Sequence, residues 1–341
     1  MRKIVMKNLK LCLAFSHIYI EEAIRNDPLV KTICQTFPDA KLIYIENYKD
    51  IFNRKNQNYC RQKEAVKLIL AKKPNNFLYS WSDNCINVAD NSFYLTQVIN
   101  CLYDCEYCFL KGMYDSANLL FFINTEDFDK AISMLKSGSY ISLSYETDIL
   151  SLDKLFTNLI DDYLKIISNN ADKKFEIRTK SLNVEKMIDA PENLLITYSI
   201  LPEILISKFE KYTPSLEKRL LKINWLLAQG IKVRLAIDPI LVMENYLDEY
   251  RLFCQKLKFF INLDKLEDIH VGPFRIAKDF LKKAKAQYSE SLIWNYPYQI
   301  KNGNYTYNKV IFEEIINVFK EELPINKLRF LKEIENEKDK R

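Results

Sequence analysis

The stretch "AQGIKVRLAIDP", residues 228–239, decides how the fold is read. The segment before it, residues 216–228, has helical periodicity, and Gly230 suits the left-handed position that ends a helix. Residues 232–237 are strand-like, and Asp238-Pro239 closes the strand. A helix that turns at a glycine straight into a strand is half of a βα crossover unit.

The same alternation extends outward in both directions. Strands are expected at 120–123, 140–145, 175–179, 194–199, 232–237 and 268–272. Helices are expected between most of them, at 126–136, 152–168, 216–228 and 244–260. This order argues for an α/β fold of parallel strands with right-handed crossovers, closed as a barrel or left as an open sheet. Upstream, 41–47 and 95–100 are strand-like, and 60–73 has the pattern of an amphipathic helix with a basic end. Downstream, Asn302-Gly303 predicts a type I′ hairpin, followed by a helix near 311–322 and a solvated tail, "KEIENEKDKR". Three regions are expected: an N-terminal α/β lead-in (1–90), a βα-repeat domain (91–290) and a C-terminal hairpin and helix (291–341).

The 341 residues suffice for one large domain or two modest ones, and a net charge of +5 permits a polyanionic partner without demanding one. The basic start "MRKIVMKNLKLCLAF" is interrupted by Lys7 and Lys10, leaving too short an apolar core for a signal peptide. No uncharged apolar run approaches the roughly 18 residues of a membrane span. A cytoplasmic location is therefore expected, where the eight cysteines serve as thiols, metal ligands or catalytic groups more often than as disulfides.

Three cysteines, Cys101, Cys105 and Cys108, follow the expected strand at 95–100 with C-x3-C-x2-C spacing. A structural zinc site takes four tetrahedral ligands, commonly from paired C-x2-C knuckles, and no second knuckle exists here. The fourth ligand would have to come from His17, His270, Cys12, Cys34, Cys60, Cys85 or Cys254. An iron–sulfur cubane takes thiolates, and three of them leave one iron open to a small molecule. Cys105 and Cys108, at i and i+3, would share one face of a starting helix. Glu146-Thr147-Asp148, Lys180-Ser181, Ser199 and Asp238 also fall after expected strands, on the rim where βα folds carry their working residues.

The spacing, with Tyr107 before the last cysteine, resembles the radical S-adenosylmethionine (SAM) superfamily. Over roughly residues 75–310 the chain looks like the spore photoproduct lyase family within it. The matching stretches are "CLYDCEYCFLKGMY", "ETDILSLDKL", "EIRTKSLNV", "YTPSLEKRL", "GIKVRLAIDPI" and "HVGPFRIAKDFL". The resemblance implies a partial (β/α)6 TIM-type barrel and a 4Fe–4S cluster on Cys101, Cys105 and Cys108. It implies SAM contacts from Thr147, Lys180 and Ser199, with Asp148 matching an acidic residue of the family pattern. The cluster would cleave SAM to a 5′-deoxyadenosyl radical that abstracts hydrogen from a substrate, with electrons from a flavodoxin- or ferredoxin-type donor. Residue by residue, Thr147 and Ser199 also suit helix caps, and Lys180 suits a solvated surface.

Two departures stand out. The repair lyases carry a hydrogen-donor cysteine where this chain has Tyr145, and a relay tyrosine where it has Phe109, which lacks a transferable O–H hydrogen. Tyr145 is the candidate substitute donor, against the simpler reading of a packed strand-end tyrosine, and Cys85 or Cys254 is a further source. The chain thus resembles the lyase-like branch, with "GPFRIA" and its Arg275 closer to that branch, and its substrate is unassigned. Repair of the DNA photoproduct with a different donor is the alternative within the family. A non-catalytic metal- or nucleic-acid-binding module is the alternative outside it. On the hairpin, Tyr296, Tyr298, Tyr305 and Tyr307 could stack on bases, and Lys301 and Lys309 could meet phosphate, unless the aromatics pack their own sheet.

Overall fold

The computed structural model describes residues 15–81, 91–156 and 158–330. Its frame is two mostly parallel sheets. The first holds five strands, in the spatial order Lys41–Ile45, His17–Glu21, Leu68–Ala71, Leu119–Phe122 and Val98–Ile99. The second holds eight. From one edge they run Leu328–Phe330, Ile269–Pro273, Val233–Ile240, Leu194–Ser199, Lys174–Thr179, Tyr140–Ser142, Ser92–Leu95 and Leu78–Ser80. All pairings in the second sheet are parallel except the edge strand Leu78–Ser80. The expected α/β class holds.

The alternation along the large sheet explains what lies on each side. Phe175, Ile177, Ile196, Tyr198, Val233 and Leu235 are buried on one face. Ser142, Glu176, Arg178, Thr197, Ser199 and Arg234 are in register on the other. Parallel sheets covered by helices on both faces are usually apolar on both. Here the second face carries an internal polar network instead. Thr197 Oγ1 donates to Glu176 at 2.5 Å, and Arg234 grips Asp268 at 2.5 and 3.0 Å. Asp238 accepts from Arg275 at 2.7 Å and from Arg178 at 3.4 Å.

Several local expectations are corrected. Residues 60–73 are not one helix. Tyr59–Glu64 is helical, its first turn capped by Asn58 donating nothing but accepting from Arg61 N–H, and Leu68–Ala71 is a strand with all four residues buried. A short apolar run fits either element, and pairing with His17–Glu21 and Leu119–Phe122 decides for the strand. The strand at 95–100 is split between the sheets, Ser92–Leu95 in one and Val98–Ile99 in the other. The helix expected at 152–168 is a short 3-10 turn, Ile149–Leu152, followed by Leu159–Asn169. Asp238-Pro239 does not end its strand, which continues to Ile240 with a register shift. The five-stranded sheet joins strands from both sides of residue 90.

The hairpin forms as expected, with Asn302 and Gly303 both at positive φ, 48° and 76°. Arg275–Ala277 adds a third strand to it. Its aromatics mostly pack inward: Tyr307 is buried, and Tyr298 stacks on Phe274 at 5.0 Å. Lys309 pairs with Glu313 at 3.8 Å on the following helix, Lys309–Glu322. The expected tail lies outside the described residues, as do Cys12 and Cys85.

Candidate active site around three cysteines

Asn100 delivers the chain into the cysteine loop. It takes φ +72°, a left-handed conformation that asparagine tolerates better than most residues. Its buried amide donates to the carbonyls of Ser116 and Asn118 at 2.8 Å each, tying the start of the loop to its end. Cys105 and Cys108 do not share a helix. Asp104-Cys105 pairs antiparallel with Glu210-Lys211, and Glu106 N–H donates to Phe209 O at 2.7 Å. Cys108 N–H closes a turn on Cys105 O at 3.2 Å, and helix begins only at Leu110. Backbone partners a hundred residues away outcompete the local i, i+3 pattern. Gly112 then lets the loop's exit pass the helix Lys278–Gln287, because a Cβ there would stand 2.2 Å from Phe280 O.

The three thiols are free. Among the described residues, no three His, Cys, Asp or Glu side chains are gathered as ligands of a single metal ion. Cubane thiolates each take a separate iron, so they need not converge on one point. Of the other residues weighed as zinc ligands, Cys60 donates to Gln287 O at 3.3 Å, and His270 faces Asp268 at 3.5 Å. Cys254 is buried in the helix Tyr246–Phe260 beside Glu322 and Lys258. Burial pushes the Cys101 thiol up to about 11 and Cys105 well above its ordinary value. Ligation to iron would deprotonate them.

A buried polar network underpins the loop. Tyr107 O–H donates to Glu210, and Arg219 completes the ion pair with both side chains fully buried. Arg219 also donates to Ser199 O at 3.0 Å, Pro214 O at 2.9 Å and Thr213 Oγ1 at 2.7 Å. The loop and the end of the strand Leu194–Ser199 are thus braced by one guanidinium.

The rim residues gather around this loop. Lys180 places its ammonium 5.8 Å from the Tyr107 ring centre. Burial opposes its charge, yet Cys105 and Glu210 hold it above the ordinary lysine value. Asp148 is a structural brace. It accepts from Lys180 N–H at 2.7 Å, Thr179 Oγ1 at 2.8 Å and Ser151 N–H at 3.3 Å, and so orients the strand end that carries Lys180. Thr147 caps nothing: its Oγ1 is buried with no hydrogen-bond partner among the described residues. Beside it, Glu146 Oε1 accepts from Tyr114 O–H at 2.5 Å while Oε2 has no partner among the described residues, and burial lifts the carboxyl to about 7. Ser199 is buried at its strand end.

Tyr145 sits among aromatics. Its ring stacks on Phe109 at 5.1 Å, 29° from parallel, and meets Tyr94 at 4.4 Å and Trp81 at 4.6 Å. The two positions expected to depart from the lyase pattern therefore touch each other. Glu210 and Arg219 escaped sequence reasoning as site residues, whereas Glu146 was placed on the rim beside Thr147.

These thiols, the buried cations near them and the unpartnered hydroxyl of Thr147 fit an anionic cluster with a polar ligand beside it. The profile of the family described as "Spore photoproduct lyase" matches residues 16–323. The spore photoproduct lyase of Clostridium acetobutylicum is 24% identical over 57% of this chain and 58% of its own length. That of Bacillus subtilis is 25% identical over 50% and 52%. The aligned part thus spans little more than half of each of these relatives. A solved double variant of spore photoproduct lyase, with bound AdoMet and dinucleoside spore photoproduct, superposes with a TM-score of 0.75 at 18% identity, covering 92% of this chain and 97% of that one. By its matched profile, the chain belongs to the spore photoproduct lyase family of radical SAM proteins.

Proposed function

We propose that this chain is a radical SAM enzyme in which Cys101, Cys105 and Cys108 hold a 4Fe–4S cluster and leave one iron for SAM. The observation that carries the reading is the three thiols on one pinned loop, bordered by Lys180 and by the unpartnered Thr147 hydroxyl. When bound, the cluster and SAM supply one-electron cleavage of SAM and hydrogen-atom abstraction from a substrate carbon. The protein's own part is placement. Lys180 offers a point charge to the methionyl carboxylate. Thr147 and Ser199 offer hydroxyls to SAM, and Asp148 keeps the Lys180 strand end in position. The polar face of the large sheet, closed as a partial (β/α)6 barrel, would receive the substrate.

Tyr145 is the candidate hydrogen donor, held by its stack on Phe109. The substrate is left unassigned. A second reading, repair of a DNA photoproduct, is favoured by the fold match to a lyase solved with dinucleoside spore photoproduct. DNA would then meet the hairpin at Tyr305 and Tyr296, its half-buried aromatics. No helix of the described residues is long and apolar enough to cross a membrane. A cytoplasmic enzyme reduced by a flavodoxin- or ferredoxin-type donor is the setting proposed.

Anaerobic reconstitution with iron, sulfide, dithionite and SAM tests the reading through 5′-deoxyadenosine. Formation by the wild-type chain and none by Cys105→Ala is expected. Iron uptake without SAM cleavage, unchanged in Cys105→Ala, would sink it. Dinucleotide spore photoproduct then decides the second reading. Turnover that Tyr145→Phe abolishes, while SAM cleavage persists, is expected if Tyr145 donates the hydrogen.

A further inference from the structure

Lys63 is buried, and it has no carboxylate within ion-pairing distance among the described residues. Its ammonium, on the helix Tyr59–Glu64, donates instead to the carbonyls of Cys101 and of Tyr103, the latter at 2.8 Å. The nearest acid of the loop, Asp104, is taken by Lys111, whose side chain is 2% exposed. Lys111 also donates to Tyr288 O–H at 3.0 Å and lies 4.3 Å from that ring's centre. Two buried ammoniums thus lie beside the first cluster cysteine, and the loop carboxylate there, Asp104, is paired with Lys111. Proteins rarely bury a cation without a counter-charge, because desolvation is costly and carbonyl dipoles offset only part of it. Asp104 acts on Lys63 but is paired with Lys111, so the loop's own thiolates are the counter-charge left for Lys63.

We infer that Lys63 is the fixed counter-charge of the anionic centre held by Cys101, Cys105 and Cys108, and that it favours the reduced state of that centre. The inference rests on the cluster reading above. Reduction adds one negative charge to the centre, and a nearby buried cation stabilises that state more than the oxidised one. Burial and charge around a cluster are recognised controls on its potential. Lys63 is a positioning residue by its bonds to the two carbonyls and an electrostatic one by its charge. Two substitutions separate the roles. Lys63→Gln keeps an N–H donor for the carbonyls and loses the charge. Lys63→Met loses both.

The test is a redox titration of the reconstituted full-length chain, followed by the paramagnetic signal of the reduced cluster. Circular dichroism first checks that each variant folds. Both variants are expected to shift the midpoint to more negative potential, with exposed Lys208→Gln unchanged. A Lys63→Gln midpoint equal to wild type, with only Lys63→Met shifted, would show an anchor and overturn the inference. If the wild-type chain takes up no iron, the cluster reading fails by itself. The electrostatic claim is then decided on the apo protein by the rate of Cys101 alkylation with iodoacetamide. Slower alkylation in Lys63→Gln than in wild type upholds it, and equal rates overturn it.

Discussion

Replacing Arg219 by Met would show how much the cysteine loop depends on charge buried beneath it. Arg219 and Glu210 are both wholly inaccessible at the side chain. Removing the guanidinium leaves the Glu210 carboxylate with the Tyr107 O–H, Thr213 Oγ1 and the Lys180 charge nearby. It also strips a donor from Ser199 O and from Pro214 O. Breaking a buried pair from one side costs about 3–5 kcal/mol, more than the roughly 1 kcal/mol of a single neutral hydrogen bond. Against a total stability of about 5–15 kcal/mol, that is a large fraction. Urea unfolding of the apo chain at pH 7 measures it. Burial acts to raise the Glu210 carboxyl, but Arg219, Lys180 and the Tyr107 hydrogen bond together outweigh it and hold the group below its ordinary value. The pair's contribution is therefore present above about pH 4.3, the unfolded value, and is lost as pH falls through the folded one. In Arg219→Met, burial is less opposed, with Lys180 and Tyr107 still favouring the carboxylate, so the penalty is greatest at neutral pH and fades as Glu210 protonates. The gap between wild type and variant should narrow from pH 7 towards pH 4. Glu210→Met combined with Arg219→Met, which leaves no charge behind, should recover about half of the loss. A loss below about 1 kcal/mol at pH 7, or a gap that widens on acidification, would refute the reasoning.

Three further perturbations follow from single contacts. Asn100→Ala removes both amide donors and puts alanine at φ +72°, for a loss of about 2–3 kcal/mol in urea unfolding. Asn100→Gly should relieve about 1 kcal/mol of that. Gly112→Ala forces a methyl to within 2.2 Å of Phe280 O, so the helix Lys278–Gln287 must shift. A cost of about 1–3 kcal/mol is expected, and an unchanged denaturation midpoint would mean the contact is loose. Glu146 carries a folded value near 7, raised by burial, against about 4.3 unfolded. The folded state binds the proton more tightly, so this group's contribution falls as pH rises from about 4.3 to 7, by up to about 3 kcal/mol. Glu146→Gln should therefore gain stability over wild type at pH 8 and match it near pH 4. Equal differences at both pH values would exclude the shift.

The features legible in the sequence were those with a local physical cause. Gly230 at φ +77° ends the helix Leu216–Ala228, as its freedom from a Cβ allows, and Asn302-Gly303 turns the hairpin for the same reason. The strand Leu194–Ser199 was found to the residue: its strand-forming Ile196, Thr197 and Tyr198 follow the turn-forming Pro191-Glu192-Asn193. Residues 60–73 failed because four apolar residues in a row have no period, and only two flanking strands make Leu68–Ala71 extended. Cys105 and Cys108 failed as a helical pair because Glu210-Lys211 offers Cys105 a backbone partner that no local window contains.

The sequence by itself determined which groups are available: three thiols at fixed spacing, the residues after each strand, and a phenylalanine at 109 and a tyrosine at 145. Chain connectivity sets spacing, and side-chain chemistry sets what each group can donate or accept. Only the tertiary structure decided what surrounds them. It stacked Tyr145 on Phe109, turned Asp148 into a brace for Lys180, and buried Lys63, Glu210 and Arg219 around the loop. Burial and the partners of a charge depend on segments far apart in the chain, and those two quantities set what a charge costs and what it can stabilise.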